Sequence, residues 1–309
     1  MKLSLIIPAF NEESSIKILY KEIIEHISGY DYEVIFIDDG STDKTLEIMR
    51  AIALEDTCVR VISLRKNFGK SSALQIGFEE ADGDIVFTMD ADLQDNPKEI
   101  PKFIEAINEG YDLVTGWKQK RHDPISKTIP SKLFNFVTSK TFGLKLHDYN
   151  CGFKAYRNEV VKEIDVYGEM HRYIPALAKA KGFKIKEISV EHRARKYGKS
   201  KYGFERYLRG YLDLLTVKLV TDFSRSPLYL FGGIGTVLSS IGLFITAYLF
   251  IMRVLHLTYL SNRPILFFAV LLLVVGVQFI SIGLIGELLV NQSRKYNKQK
   301  NISIKEKIN

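Results

Sequence analysis

The stretch Ile85–Asp95, IVFTMDADLQD, decides how the chain is to be read. Ile85 to Met89 form a short apolar, β-branched run of the kind that makes a buried strand, and the polar run from Asp90 ends it. Three runs of the same kind come earlier: Lys2–Pro8 (KLSLIIP), Tyr32–Asp38 (YEVIFID) and Val59–Leu64 (VRVISL). Helical patterns over Glu12–Ile27, Asp43–Leu54 and Lys70–Ala81 lie between them. Strands alternating with helices predict an α/β fold with a mainly parallel, Rossmann-like sheet covered on both faces. Ligands of such sheets sit outside the carboxyl ends of the strands. The polar residues gather there: Asn11-Glu12 after the first strand, Asp38-Asp39-Gly40-Ser41 after the second, Arg65 to Lys70 after the third, and Asp90-Ala91-Asp92 after the fourth. No G-x-G-x-x-G follows the first strand and no G-x-x-x-x-G-K-[ST] occurs, which counts against dinucleotide-binding and P-loop versions of this architecture.

Asp90 and Asp92, at i and i+2 where a strand runs into a loop, can share one hard cation through oxygen ligands. Mg²⁺ or Mn²⁺ there would also take diphosphate oxygens and offset charge on a leaving diphosphate. A solvated turn is the plain alternative. Ser41 or Thr42 suits an N-cap for the following helix. That leaves Asp38 and Asp39 as adjacent carboxylates able to accept hydrogen bonds from a base N–H or ribose hydroxyls.

The chain has 309 residues and a formal net charge of +7. Charge is unevenly spread. Residues 1–100 carry 10 Lys+Arg against 20 Asp+Glu, residues 101–226 carry 25 against 14, and residues 294–309 carry six against one. The basic surplus therefore does not indicate a nucleic-acid partner, and no nucleic-acid-binding motif is present. Two cysteines, Cys58 and Cys151, exclude a disulfide scaffold and suit reduced thiols.

Leu228–Met252 carries no charge, and Ile265–Leu289 carries only Glu287. Each run exceeds the roughly 20 residues that cross a bilayer core. The short link Arg253–Pro264 makes them a hairpin. Lys218, Arg225, Arg294, Lys295, Lys298 and Lys300 flank it and mark the cytoplasmic side. The N-terminal run Leu3–Phe10 is too short for a signal peptide. Tyr207, Leu208, Tyr211, Leu212, Leu215, Leu219 and Phe223 recur at helical spacing, giving an amphipathic helix that lies on the membrane or packs on the soluble domain.

Taken together, PAFNE (Pro8–Glu12), DDGSTD (Asp38–Asp43), RKNFGK (Arg65–Lys70) and MDADLQD (Met89–Asp95) resemble the family 2 glycosyltransferases of GT-A fold. DYNCGFK (Asp148–Lys154) and HRARKYGKSKY (His192–Tyr202) are similar to the branch that transfers sugar to polyisoprenyl phosphate, which includes dolichyl-phosphate mannose synthases and bacterial bactoprenol glucosyltransferases. The hairpin is similar to the bacterial subgroup. This resemblance implies a nucleotide-sugar site at Pro8, Asn11, Glu12, Asp38, Asp39, Lys70, Asp90, Ala91 and Gln94, with metal on Asp90 and Asp92. It implies acceptor-phosphate contacts at Arg121, Ser131, Lys132, Arg195, Ser200 and Lys201, and a catalytic set of Asp148, Asp92 and Arg195. A lipid phosphate needs arginine or lysine, and the basic middle of the chain supplies them.

The implied activity is inverting transfer of a sugar, glucose from UDP-glucose foremost, to a polyprenyl phosphate such as undecaprenyl phosphate. The implied organisation is a cytoplasmic catalytic domain over 1–205, a membrane-surface helix over 206–226, two spans within 227–293 (about 228–252 and 265–290) and a basic tail over 294–309. This makes an inner-membrane, multi-pass protein with both termini cytoplasmic. Self-association through the glycine-rich spans, a flippase and a downstream glycosyltransferase are the expected partners. A processive polysaccharide synthase and a non-catalytic membrane scaffold are the competing readings. Trp117 is the sole tryptophan, and no Q-x-x-R-W segment is present to support the first.

Overall fold

A computed structural model describes residues 1–119, 125–193, 213–214, 216–219, 226–255, 264–295 and 304–308; side chains at 125–133, 290–295 and 304–308 are not described. Two compact units result. One holds Met1–Val217 with Asn301–Asn309, and the other Lys218–Lys300.

In the first unit, β1 (Lys2–Ala9), α1 (Ile16–Ile27), β2 (Asp31–Asp38), α2 (Thr45–Glu55), β3 (Val59–Leu64), α3 (Lys70–Glu80) and β4 (Ile85–Thr88) match the expected elements closely. Leu3, Leu5, Ile6 and Ile7 are all fully buried, because helices cover both faces and neither set of alternate residues meets water. α1 buries Ile16, Leu19, Ile23 and Ile27, a helical stripe. It starts later than the apolar pattern suggests, because Glu12–Ser15 form a turn in which the Ser15 hydroxyl donates to Glu12.

The chain continues through α4 (Ile100–Asn108), β5 (Leu113–Lys118), α5 (Ile125–Phe142), β6 (Lys154–Arg157), α6 (Asn158–Glu163), α7 (Ile174–Ala180) and β7 (Ile185–Val190), with β8 at Ile304–Ile308. The sheet order is β7-β5-β6-β4-β1-β2-β3-β8. β1 to β4 are parallel, as predicted, and β7 runs parallel to β5. β6 is antiparallel to both neighbours, and β8 is antiparallel to β3. The reversal of β6 matters for the site: its first residue, Lys154, pairs with Thr88 at the carboxyl end of β4. The DYNCGFK segment is thereby delivered beside Asp90.

β8 lies in the stretch read from sequence as a basic tail. Its sequence, IKEKI, is mostly charged between two isoleucines, a composition suited to an edge strand.

The second unit contains α8 (Pro227–Val254) and α9 (Pro264–Lys295). Their most apolar windows have mean hydropathy 2.0 and 2.8 and are little buried within the protein. Both are long enough to cross a bilayer. They pack through glycines: a Cβ on Gly235 would lie 2.5 Å from the Gly276 carbonyl oxygen, and one on Gly242 would lie 2.8 Å from that of Ala269.

Candidate active site

Four loops meet at the carboxyl ends of β1 to β4, and bonds from backbone amides to side chains, with one ion pair, stitch them together. Asn11 adopts a left-handed φ of 56°, which asparagine tolerates. Its N–H donates to Ser41 Oγ (2.9 Å) and its Oδ1 accepts from Thr42 N–H (2.8 Å). Glu12 N–H donates to Thr45 Oγ1 (2.8 Å). Pro8 sits within β1, in register with Ile37. The first two loops thus form one rim.

Asp38 ends β2 and is 1% exposed. Its Oδ1 accepts from Ser41 N–H (3.0 Å) and its Oδ2 from the Ser63 hydroxyl (2.9 Å), so it shapes the turn and ties it to β3. Asp39 accepts from Phe68 N–H (2.7 Å) and Gly69 N–H (2.9 Å). Burial raises its pKa and neighbouring Asp38 adds to the rise, against the pull of those two amides. Gly40 closes the turn at φ 71°; a Cβ there would lie 2.5 Å from the Lys66 carbonyl carbon.

Lys70, at the start of α3, forms an ion pair with Asp90. Burial opposes the charge on Asp90, but Lys70 and Lys118 outweigh it and hold its carboxyl far below the usual value. Asp92 is 8% exposed, and its Oδ1 accepts from Gln94 N–H (3.2 Å). Between them the buried Ala91 fills the core side of the loop. Leu93 has φ 63°, a strained conformation for a leucine, which the Asp92–Gln94 turn imposes. Gly152 makes room for this loop: a Cβ there would sit 2.6 Å from Asp90 Oδ2.

Asp148 is 1% exposed. Its N–H donates to Glu187 Oε1 (2.9 Å), and its Oδ1 accepts from Asn150 N–H (3.1 Å). The same Glu187 carboxylate holds His147, whose ring stacks on Trp117 at 4.1 Å. Of the expected acceptor residues, Ser131 and Lys132 fall on α5 without described side chains, and Arg121, Arg195, Ser200 and Lys201 lie outside the described residues.

Three groups behind the DAD loop (Asp90–Asp92) carry no assignment from sequence. Lys154 is 3% exposed and donates to the Cys151 carbonyl; burial lowers its pKa. The half-buried His171 ring meets Ser71 Oγ through Nδ1 (2.9 Å), and desolvation followed by Lys70 keeps its pKa well below the usual value. Lys118 forms a 3.0 Å ion pair with Asp95. Asp95 and Lys154 belong to quoted motifs, whereas only tertiary structure brings in Lys118 and His171.

No group of three or more His, Cys, Asp or Glu is arranged to hold a metal among the described residues. The donor set that is present consists of the carboxylates of Asp90 and Asp92 and the Gln94 amide. This fits Mg²⁺ or Mn²⁺, hard cations that keep several water or phosphate ligands and need few from protein.

The model of glycosyl transferase family 2 matches residues 4–165. The dodecaprenyl-phosphate galacturonate synthase of Rhizobium johnstonii is 37% identical over 94% of this chain and 88% of its own. The undecaprenyl-phosphate 4-deoxy-4-formamido-L-arabinose transferase of Proteus mirabilis is 35% identical over 96% and 90%. Among solved structures, glucosyl-3-phosphoglycerate synthase of Mycobacterium tuberculosis, in complex with Mn²⁺, UDP and phosphoglyceric acid, superposes with TM-score 0.56 at 21% identity, covering 73% of this chain and 81% of that one. That likeness carries the GT-A-like fold. The loops at the strand ends, the sheet that presents them and a family match over more than half the sequence agree: the chain is a glycosyltransferase and belongs to glycosyl transferase family 2.

Proposed function

We propose that this protein transfers a sugar from a nucleotide diphosphosugar to a polyprenyl phosphate held in the membrane. The observation that carries this reading is the extent of the likeness to two polyprenyl-phosphate enzymes, which runs through the apolar helices as well as the sheet domain. Relatives named for galacturonate and 4-deoxy-4-formamido-L-arabinose turn the expected sugar from plain glucose toward a modified pentose or uronic acid.

The nucleotide lies across Pro8, Asn11, Glu12, Asp38 and Asp39, with its diphosphate near Lys70, Asp90, Ala91 and Gln94. Asp90 and Asp92 would hold a divalent cation, which supplies charge neutralisation for the departing diphosphate. Lys70 is the group that must change partner, since its charge can pass from Asp90 to a phosphate. The acceptor phosphate is met by Arg195, Ser200 and Lys201, with Arg121, Ser131 and Lys132 alongside. Its oxygen attacks the anomeric carbon with inversion. A phosphate monoester is already largely ionised at neutral pH, its second pKa being about 6, so it needs no strong general base. The buried, doubly anchored Asp148 then serves to orient the acceptor or a sugar hydroxyl.

The two apolar helices anchor the domain in the inner membrane as a hairpin. β8 supports placing the segments before and after the hairpin on one side, because it follows α9 yet joins the sheet of the N-terminal domain. That arrangement agrees with a cytoplasmic domain and tail. Self-association, a flippase and a later transferase that consumes the lipid-linked sugar belong to the same reading.

A donor screen tests it. Purified protein is incubated with undecaprenyl phosphate and, separately, UDP-glucose, UDP-galacturonate and the UDP-linked 4-formamido arabinose, and the lipid product is read by mass spectrometry. The expected result is a mono-sugar phosphate lipid from a modified donor. Product from UDP-glucose alone would restore the glucose reading, and no lipid product from any donor would reject the acceptor class.

A further inference from the structure

A small cleft lies behind the DAD loop, lined by Lys70, Thr88, Asn150, Lys154, Tyr156 and His171. It has room for about one water-sized group. Most of its polar lining is engaged within the protein. Lys70 pairs with Asp90, and Lys154 Nζ donates to the Cys151 carbonyl. Thr88 Oγ1 donates to the Gly152 carbonyl (2.8 Å) and lies 3.3 Å from the Tyr156 hydroxyl. Two groups differ. Among the described residues, neither the Asn150 side-chain amide nor His171 Nε2 has a hydrogen-bond partner. The cleft also borders the donor loop, since a Cβ on Gly152 would sit 2.6 Å from Asp90 Oδ2.

His171 belongs to the short turn Met170–Tyr173, and its other ring nitrogen is fixed. Ser71, the residue after Lys70, is fully buried. Its Oγ accepts from the His171 backbone N–H (3.1 Å) and meets Nδ1 at 2.9 Å. Among the described residues that hydroxyl has no other acceptor. Its proton therefore goes to Nδ1, which leaves the ring's own proton on Nε2. Desolvation, followed by the Lys70 charge, keeps the ring neutral. One wall of the cleft thus presents a preorganised neutral N–H, and the other an amide that can both donate and accept. A phosphate favours cationic donors. Neutral groups of this kind suit a hydroxyl.

We propose that His171 and Asn150 form a subsite for one hydroxyl of the donor sugar, with Ser71 as the positioning residue that fixes His171 Nε2–H. This rests on the proposed reading for the nucleotide-sugar donor, but not for the lipid acceptor.

The test uses the full chain with Mn²⁺ and calorimetric Kd values for UDP, UDP-glucose, UDP-galacturonate and the UDP-linked 4-formamido arabinose. His171→Phe keeps a ring and removes the donor. The Kd of the sugar nucleotide that wild type binds best should rise about tenfold, while that of UDP stays within about twofold. His171→Gln, whose amide can place an N–H near the position of Nε2, should recover most of the loss. Ser71→Ala leaves the ring but frees its tautomer and should cost about threefold, again without moving UDP. Should His171→Phe fail to fold, Ser71→Ala decides by the same comparison. An unchanged sugar-nucleotide Kd, an equal rise for UDP, or no recovery in His171→Gln overturns the proposal, as does a wild type that binds UDP but none of the sugar nucleotides. None of these measurements involves the acceptor. Sugar-selective loss in a protein that makes no lipid product would reject the polyprenyl-phosphate reading and leave this subsite standing.

Discussion

The same sheet carries hydrogen-bonded acids at both ends, and the two ends treat them differently. At the amino ends, Glu33 accepts from Ser4 Oγ (2.5 Å), Asp82 N–H (2.9 Å) and Arg60 Nη2 (2.6 Å). Asp56 accepts from the hydroxyls of Tyr20 (2.6 Å) and Tyr32 (2.9 Å) and from Cys58 N–H (2.8 Å). Although burial pushes the other way, these partners lower both pKa values. At the carboxyl ends, Asp39 is held by loop amides and its pKa is raised, and Asp90 relies on a lysine at a helix start. Acids at the amino ends are held by partners on neighbouring strands, a helix and two turn amides. At the carboxyl ends Asp38 is likewise spent on the protein, whereas Asp90 is held by a lysine side chain whose charge a phosphate can draw away. An acidic cluster therefore declares its role through its partners rather than its composition.

The sharpest way to break this contrast is Asp92→Asn. Lipid-linked product measured by mass spectrometry should fall about 10²–10³-fold, the scale of losing one preorganised electrostatic group, with the melting temperature almost unchanged. Glu33→Gln should do the reverse. It leaves Arg60 without its main partner and should cost about 2–3 kcal/mol in urea unfolding, with kcat per folded molecule intact. Gly152→Ala lies between them. The added methyl meets the Asp90 carboxylate, so kcat should drop about tenfold, equivalent to roughly 1.4 kcal/mol, at small cost in stability.

Acid should separate the two ends by sign. A lowered carboxyl pKa, as in Glu33, adds stability that is present above its unfolded value and lost as pH falls through the folded one. A raised one, as in Asp39, sets a penalty at neutral pH that is relieved as pH falls through the folded value. Urea midpoints at pH 7 and pH 4 should therefore fall less on acidification in Glu33→Gln than in wild type, and fall more in Asp39→Asn. The smallest effect is expected from Tyr20→Phe, which loses one hydrogen bond to Asp56, about 1 kcal/mol, without altering turnover.

The parallel half of the fold was legible because β1 to β4 are short, mainly apolar runs, each closed by polar residues. The two helices of the hairpin were equally plain. The second half was harder. β6 is only Lys154–Arg157, and β5 ends in the mixed Trp117-Lys118, so neither stands out by periodicity. At the site, Asp38, Asp39, Asp90 and Asp92 could be picked out by their place at strand ends. That Asp38 spends both oxygens on the protein, and that Lys70 closes on Asp90, depends on how loops meet. His171 reaches Ser71 across 100 residues, a relation that no local pattern carries.

β8 has a consequence for how the protein is made. The outer backbone groups of β3 find their partner in residues translated only after both apolar helices. At about 5–20 residues per second, a wait of roughly 10–50 s separates the two strands at the ribosome. During that time the nascent sheet presents an open edge, the feature most prone to pairing with foreign strands. Both apolar helices, α8 and α9, are synthesised in the same interval. Sealing of the sheet edge in this enzyme thus waits on the synthesis of both apolar helices.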